Sequence, residues 1–120
     1  MSEKRKLLYW EGSSKKDFKE FPIPVQKDMG VALFVVQLGR TPDSAKLWKG
    51  LGPGVYELVE DLRGDTFRAV YTVRVGDAVH VLHAFQKKSK SGIATPQPDV
   101  ELIEKRLKAV LARYGLSGRS

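Results

Sequence analysis

Two apolar stretches of this chain carry the residue types that bind phosphate and move protons. Val79-His80-Val81-Leu82-His83-Ala84-Phe85-Gln86-Lys87-Lys88-Ser89-Lys90 reads as a strand with two histidines that ends in an aromatic and runs into three lysines. Upstream, Phe67-Arg68-Ala69-Val70-Tyr71 sets an arginine inside a second strand. Arginine grips phosphate oxygens through paired N–H bonds, lysine supplies a point charge, and an aromatic ring offers a face to a base. A sheet that delivers these groups to neighbouring strand ends suits a phosphodiester, RNA foremost.

Strand alternation sorts the side chains by face. Phe67, Ala69, Tyr71, Val73 and Val75 form the more apolar side and are assigned to the core. Arg68 then shares the other side with Val70, Thr72 and Arg74. Glu57 and Glu60 on the preceding strand are its candidate partners, and an ion pair with Glu57 that serves only the fold is as good a reading as a phosphate site. In the last strand the same rule puts Val79, Val81, His83 and Phe85 on one face and His80, Leu82 and Ala84 on the other. The two histidines then diverge, which argues against a shared metal. A strand histidine is more often structural than catalytic. His83, nearer the basic loop, is the better candidate for proton transfer.

Lys87, Lys88 and Lys90 are either a solvated loop or an RNA-facing one. Lys46-Leu47-Trp48-Lys49 adds a basic–aromatic–basic pattern that suits nucleic acid but is short. There is no Walker loop, zinc spacing, serine nucleophile elbow or glycine-rich dinucleotide fingerprint. Without cysteine, disulfides and thiolate metal sites are excluded, and no cofactor is called for.

Positioning these residues falls to a chain of 120 residues, enough for one domain over 1–120 with a real core. Its formal net charge of +7 and pI near 9.7 favour a polyanionic partner. No apolar segment follows the basic start Lys4-Arg5-Lys6, and no apolar run approaches the roughly 20 residues of a membrane span, so a cytoplasmic protein with no membrane partner is expected.

The elements follow from periodicity and punctuation. Lys6 to Trp10 is a short strand. Ser13 or Ser14 can cap a short helix through Phe18 and Phe21. Pro22 and Pro24 open a second helix with Val25, Met29, Ala32, Leu33 and Val36 on one face and Gly39 as its stop. Arg40 to Gly54 reads as a loop. Strands at Val55–Glu60, Thr66–Val75 and Ala78–Phe85 form an antiparallel meander, with Gly76-Asp77 fitting a two-residue hairpin. A polar loop, Lys87 to Gln97, precedes a helix that starts near Pro98. It repeats Ile103, Leu107, Val110, Leu111 and Tyr114 and stops at Gly115. The order β-α-α-β-β-β-α gives an α+β domain: two N-terminal helices on one face of the sheet, and the other face partly open to a ligand.

Four segments in this order resemble a known family. Lys46-Leu47-Trp48-Lys49-Gly50-Leu51-Gly52-Pro53-Gly54-Val55-Tyr56-Glu57-Leu58, Phe67-Arg68-Ala69-Val70-Tyr71, Leu82-His83-Ala84-Phe85-Gln86-Lys87-Lys88-Ser89 and Thr95-Pro96 before an acidic, arginine-containing helix resemble the HigB-like, phage-derived toxins of the RelE superfamily. The resemblance spans about residues 7 to 114. It implies the RelE-like fold, with a central antiparallel sheet, two N-terminal helices and a C-terminal helix. It further implies a type II toxin that cleaves mRNA on the ribosome, neutralised by a helix-turn-helix antitoxin. RNA cleavage would use the RNA's own 2′-hydroxyl and need no metal. Glu57, Arg68, Phe85, Lys87 and Lys88 match the family pattern. The implied roles are charge stabilisation for Arg68 and for Lys87 or Lys88, and proton transfer for Glu57 or His83; with the basic patterns above, Lys46, Lys49, Phe85, Lys88 and Lys90 are the expected RNA contacts. Val59 stands where many relatives carry arginine, and Arg63 or Arg74 are candidate replacements. That departure keeps two other functions open: a non-catalytic nucleic-acid or ribosome-binding module, and a phage assembly protein.

Overall fold

The computed structural model describes residues 4–87 and 95–116. A five-stranded sheet in the order β1-β5-β4-β3-β2 is built from β1 (Leu7–Trp10), β2 (Ala45–Leu47), β3 (Val55–Leu62), β4 (Asp65–Thr72) and β5 (Ala78–Lys87). Two helices, α1 (Ser14–Lys19) and α2 (Ile23–Gln37), lie against one face, and α3 (Gln97–Arg113) against the other. The mixed α+β class, the two N-terminal helices and the C-terminal helix agree with the sequence reading.

Each face carries its own core. Phe18, Phe21, Val25, Met29, Leu33 and Val36 of α1 and α2 pack on Leu58, Phe67, Ala69, Tyr71, Val79 and Val81. Across the sheet, Ile103, Leu107, Val110 and Leu111 of α3 pack on Val55, Val70, Leu82 and Phe85. The sheet is therefore buried on both sides, and its three longest strands are correspondingly rich in apolar residues. α3 covers much of the face expected to be open, and clefts remain beside it.

The helix ends are written locally. Prolines occupy the cap position of both long helices, Pro22 for α2 and Pro96 for α3, and a second proline sits in each first turn. Gly39 and Gly115 take left-handed φ of 88° and 74° just past the two C-termini. The next amide in each case bonds back across the turn, Arg40 to Val35 and Leu116 to Leu111, closing a Schellman motif. Ser13 is the cap residue of α1, but its hydroxyl donates to Asp17 and not to the backbone.

Four points correct the sequence reading. The segment expected to be all loop, Arg40 to Gly54, contains the edge strand β2, paired antiparallel to β3 with Lys46 opposite Glu57. β1 runs parallel to β5, so the antiparallel meander β2–β3–β4–β5 has one parallel edge. β4 stops at Thr72, and residues 73–77 make a longer connection in place of the Gly76-Asp77 hairpin. The two-residue hairpin is instead Arg63-Gly64, with φ of 53° and 87°, joining β3 to β4. Finally, β5 carries a bulge at Leu82: Val70 pairs His83 while Tyr71 pairs Val81. The extra residue breaks the two-residue alternation. Val79, Val81 and Ala84 belong to the α2 core, whereas Leu82 and Phe85 join the α3 core.

Candidate functional site: a cationic cleft between α3 and β2

Pairing across the sheet aligns the candidate residues. Lys46, Glu57, Val70 and His83 form one cross-strand row, and Val59, Arg68 and Phe85 form the next. Directly paired residues share a face. Val70 and Phe85 belong to the α3 core, so Lys46, Glu57 and Arg68 also lie on the α3 side. There they border a cleft of about 730 Å³ whose walls include Lys46, Trp48, Lys49, Glu57, Arg68, Lys87 and, from α3 and its approach, Thr95, Gln97 and Val100. Five residues singled out in the sequence, Lys46, Lys49, Glu57, Arg68 and Lys87, thus meet in one place. Among the described residues, four cations surround a single carboxylate.

Arg68 and Glu57 are the innermost of the charged groups. The guanidinium Nη1 of Arg68 donates to Glu57 Oε1. Their side chains are 18% and 14% exposed, so each is mostly withdrawn from water and held by the other. Arg68 Nε has no hydrogen-bond partner. It is a buried donor still able to take an acceptor oxygen. Of the two carboxylates considered for Arg68, Glu57 is the partner. Glu60 alternates to the α2 side, where burial, Asp28 and Asp61 raise its pKa above the ordinary value of 4.5.

Trp48 lines the cleft but is only 8% exposed and packs into the α3 core, so the basic–aromatic–basic segment supplies two exposed lysines over an apolar floor. Val59 sits directly opposite Arg68, so the position expected to carry a second arginine is beside the first. Neither suggested replacement reaches it. Arg63 is in the β3–β4 turn, and Arg74 donates to the Leu51 carbonyl at the opposite end of the sheet face, against α3 residues Leu107 and Leu111.

The remaining candidates lie elsewhere. Phe85 is buried and stacks on His83 at 4.8 Å between ring centres, leaving no open face toward the cleft. His83 is 5% exposed, and its Nε2 is 2.7 Å from Asp99 in the first turn of α3. The expected divergence of the two histidines is overturned by the bulge at Leu82. His80 also reaches the α3 side, where Nδ1 is 2.7 Å from Glu11 and Nε2 is 3.0 Å from the Tyr114 hydroxyl. Each histidine pins one end of α3. Among the described residues no group of three or more His, Asp or Glu is arranged to hold a metal ion. Lys88 and Lys90 lie outside the described residues.

Sequence reasoning missed Glu11, Asp99 and Arg113. Glu11 accepts from both His80 and Arg113. Burial alone would raise its pKa, but the bonds from His80 and Arg113 outweigh that and hold it below the ordinary value. Nothing local in Trp10-Glu11-Gly12 announces a buried carboxylate, because its partners are about 70 and 100 residues away.

A mixed sheet with a helical pair on one face, a C-terminal helix on the other and a cationic cleft at the strand ends defines a small RelE-type fold. "Structure of E. coli toxin RelE", a double arginine-to-alanine mutant in the free state, superposes with a TM-score of 0.57 at 18% identity, covering 89% of this chain and 99% of that one. The chain belongs to the family described as phage derived protein Gp49-like (DUF891), which matches residues 16–108 and is a RelE/HigB-type toxin family. No curated protein matches the sequence. Among the described residues no helix is long and apolar enough to cross a membrane.

Proposed function

We propose that this protein is the toxin of a type II toxin–antitoxin pair and an endoribonuclease that cleaves mRNA on the ribosome. The observation that carries the reading is the convergence of Lys46, Lys49, Arg68 and Lys87 around Glu57 in one cleft. The substrate supplies its own nucleophile. A ribose 2′-oxygen attacks the adjacent phosphorus, the P–O5′ bond breaks, and the products are a 2′,3′-cyclic phosphate and a 5′-hydroxyl. Arg68 faces the charge that builds on the non-bridging oxygens, using Nε and the nitrogens not committed to Glu57. Glu57, the cleft's one carboxylate among the described residues, takes the 2′-hydroxyl proton, and Lys87 delivers a proton to the departing 5′-oxygen. Lys46 and Lys49 at the rim hold flanking phosphates. His83, tied to Asp99 outside the cleft, has no part in the chemistry.

The ribosome's role in this scheme is to bend the message so that the 2′-oxygen, phosphorus and 5′-oxygen come into line, which the open cleft alone does not impose. A helix-turn-helix antitoxin is the proposed neutralising partner. Induced expression with mapping of mRNA 5′ ends tests the reading. Growth arrest with new 5′-hydroxyl ends at discrete positions is expected. Arrest without cleavage would favour a non-catalytic ribosome-binding module, the second reading. Val59 beside Arg68 is the observation in its favour, since it leaves the site one cation short.

A further inference from the structure

On a chain of net charge +7, one cleft is acidic. It is about 500 Å³ and flanks the same β4–β5 end as the cationic cleft. Asp17 of α1, Glu20 at its end and Asp65 at the start of β4 line it, with Phe21, Phe67 and Phe85 as an aromatic floor. Among the described residues no lysine or arginine lines it, and none of the three carboxylates has a cationic partner. Among the described residues the Asp17 carboxylate accepts only the Ser13 hydroxyl. The acidity extends beyond the cleft, since Glu60, opposite Phe67, has its pKa raised by burial and by Asp28 and Asp61.

His83 supplies an independent sign of a missing partner. It lines this cleft, is 5% exposed, and its Nδ1 has no hydrogen-bond partner. In the neutral tautomer whose Nε2–H faces the Asp99 carboxylate, Nδ1 is a lone-pair acceptor that lacks a donor. A buried acceptor left unpaired costs free energy that a bound donor recovers. Carboxylates around an aromatic floor, beside an acceptor nitrogen, fit a guanidinium group: it donates in a plane to several oxygens and stacks on rings.

We infer that this cleft docks an arginine-bearing, apolar peptide segment of a protein partner. The inference rests on the surface alone and not on RNA cleavage. The site repels RNA, because its carboxylates would face phosphates. It also places the partner next to the cationic cleft, across the β4–β5 pair.

Fluorescence anisotropy with the full-length protein and a labelled octapeptide of alternating arginine and leucine tests it. Saturable binding is expected, weakened at least about tenfold by the double variant Glu20→Gln/Asp65→Asn, a loss of about 1.4 kcal/mol. Substituting lysine for arginine in the peptide is expected to weaken binding several-fold. Lys46→Ala should leave peptide binding unchanged, and circular dichroism of the double variant should match the parent. Absence of saturable binding, equal binding of a glutamate–leucine peptide, or indifference to the double variant in a folded protein would each overturn the inference. So would loss of single-stranded RNA binding in that double variant, which would make the cleft an RNA surface. Cleavage of mRNA on induction is a separate readout, so either idea can fail alone.

Discussion

Arg68 has most of its side chain out of water and one nitrogen already committed to Glu57. Removing it has two separable consequences. If it meets the scissile phosphate, Arg68→Ala lowers the cleavage rate roughly 100- to 1,000-fold, the usual loss for one positioned donor. The same change strands Glu57 at 14% exposure and destabilises the fold by about 1–3 kcal/mol. Pairing it with Glu57→Gln relieves the stranded charge. The double variant should recover most of the stability and none of the activity. Denaturation midpoints together with cleavage assays separate the roles; full cleavage by a folded Arg68→Ala protein would remove Arg68 from the mechanism. Glu60 makes the opposite kind of prediction. Its folded pKa lies above the unfolded value because it is partly buried and sits near Asp28 and Asp61, so the folded state holds its proton to higher pH. The cost is absent in acid and appears as pH rises through the folded pKa. Glu60→Gln should therefore stabilise the protein at neutral pH, by less than about 1 kcal/mol, and make no difference near about pH 3. Equal stabilisation at both pH values would point to packing instead of charge.

At the scale of elements, α3 is the cleft's movable-looking wall made firm by its ties. His83 holds its first turn through Asp99, and Arg106 in its middle donates to the Leu82 carbonyl and the Ser13 hydroxyl. Its end is held by His80–Tyr114 and Glu11–Arg113. Gly12 is part of this arrangement. Its φ is 54°, and a Cβ there would lie 2.7 Å from the Arg106 guanidinium. Gly12→Ala is expected to cost about 1–3 kcal/mol, from the left-handed backbone and from a displaced Arg106. A thermal midpoint equal to the parent's would show that Arg106 moves aside freely. Glu11 gives the acid counterpart. Its folded pKa is depressed, so its contribution is complete above the ordinary value of 4.5 and is lost as pH falls through the folded value. Glu11→Gln should lower stability at neutral pH and flatten the acid limb of a midpoint-versus-pH curve.

These same ties explain what was legible in the sequence. Helix spans, faces and stops were readable because periodicity, proline and glycine act within a few residues. Arg68, Glu57 and the lysines were readable because polar residues inside apolar strands stand out. β2 was hidden because three residues between turn formers carry no period; it shows only in its pairing with β3, where Lys46 lies across from Glu57. The bulge was hidden because one extra residue leaves no compositional mark, yet it turns both histidines toward α3. Phe85 looked like a stacking platform because its burial under α3 depends on a helix that begins ten residues and more further along the chain.

For the whole molecule, the question is whether a net charge of +7 is spread for solubility or focused for binding. The acidic belt along Asp17, Glu20, Asp65 and Glu60 argues for focusing, since it concentrates the excess positive charge elsewhere, including the cleft of Lys46, Lys49, Arg68 and Lys87. Focused charge has a signature in salt. Each phosphate neutralised on a single strand contributes roughly 0.7 to the slope of log affinity against log salt. Lys46→Ser/Lys49→Ser should therefore reduce that slope for single-stranded RNA by about 1.4, and Lys87→Ser by about 0.7 more. Stability should stay within about 0.5 kcal/mol for Lys46 and Lys49, which are exposed and have no ion-pair partner among the described residues. Ribosome association should weaken in parallel. A control at Lys15 and Lys16, exposed on α1 across the sheet, should leave the slope unchanged. Equal effects from both lysine pairs would mean that RNA senses only net charge. An unchanged slope in the cleft variants would mean that these lysines merely face solvent, and Arg68 would be left as the cleft's contact with phosphate.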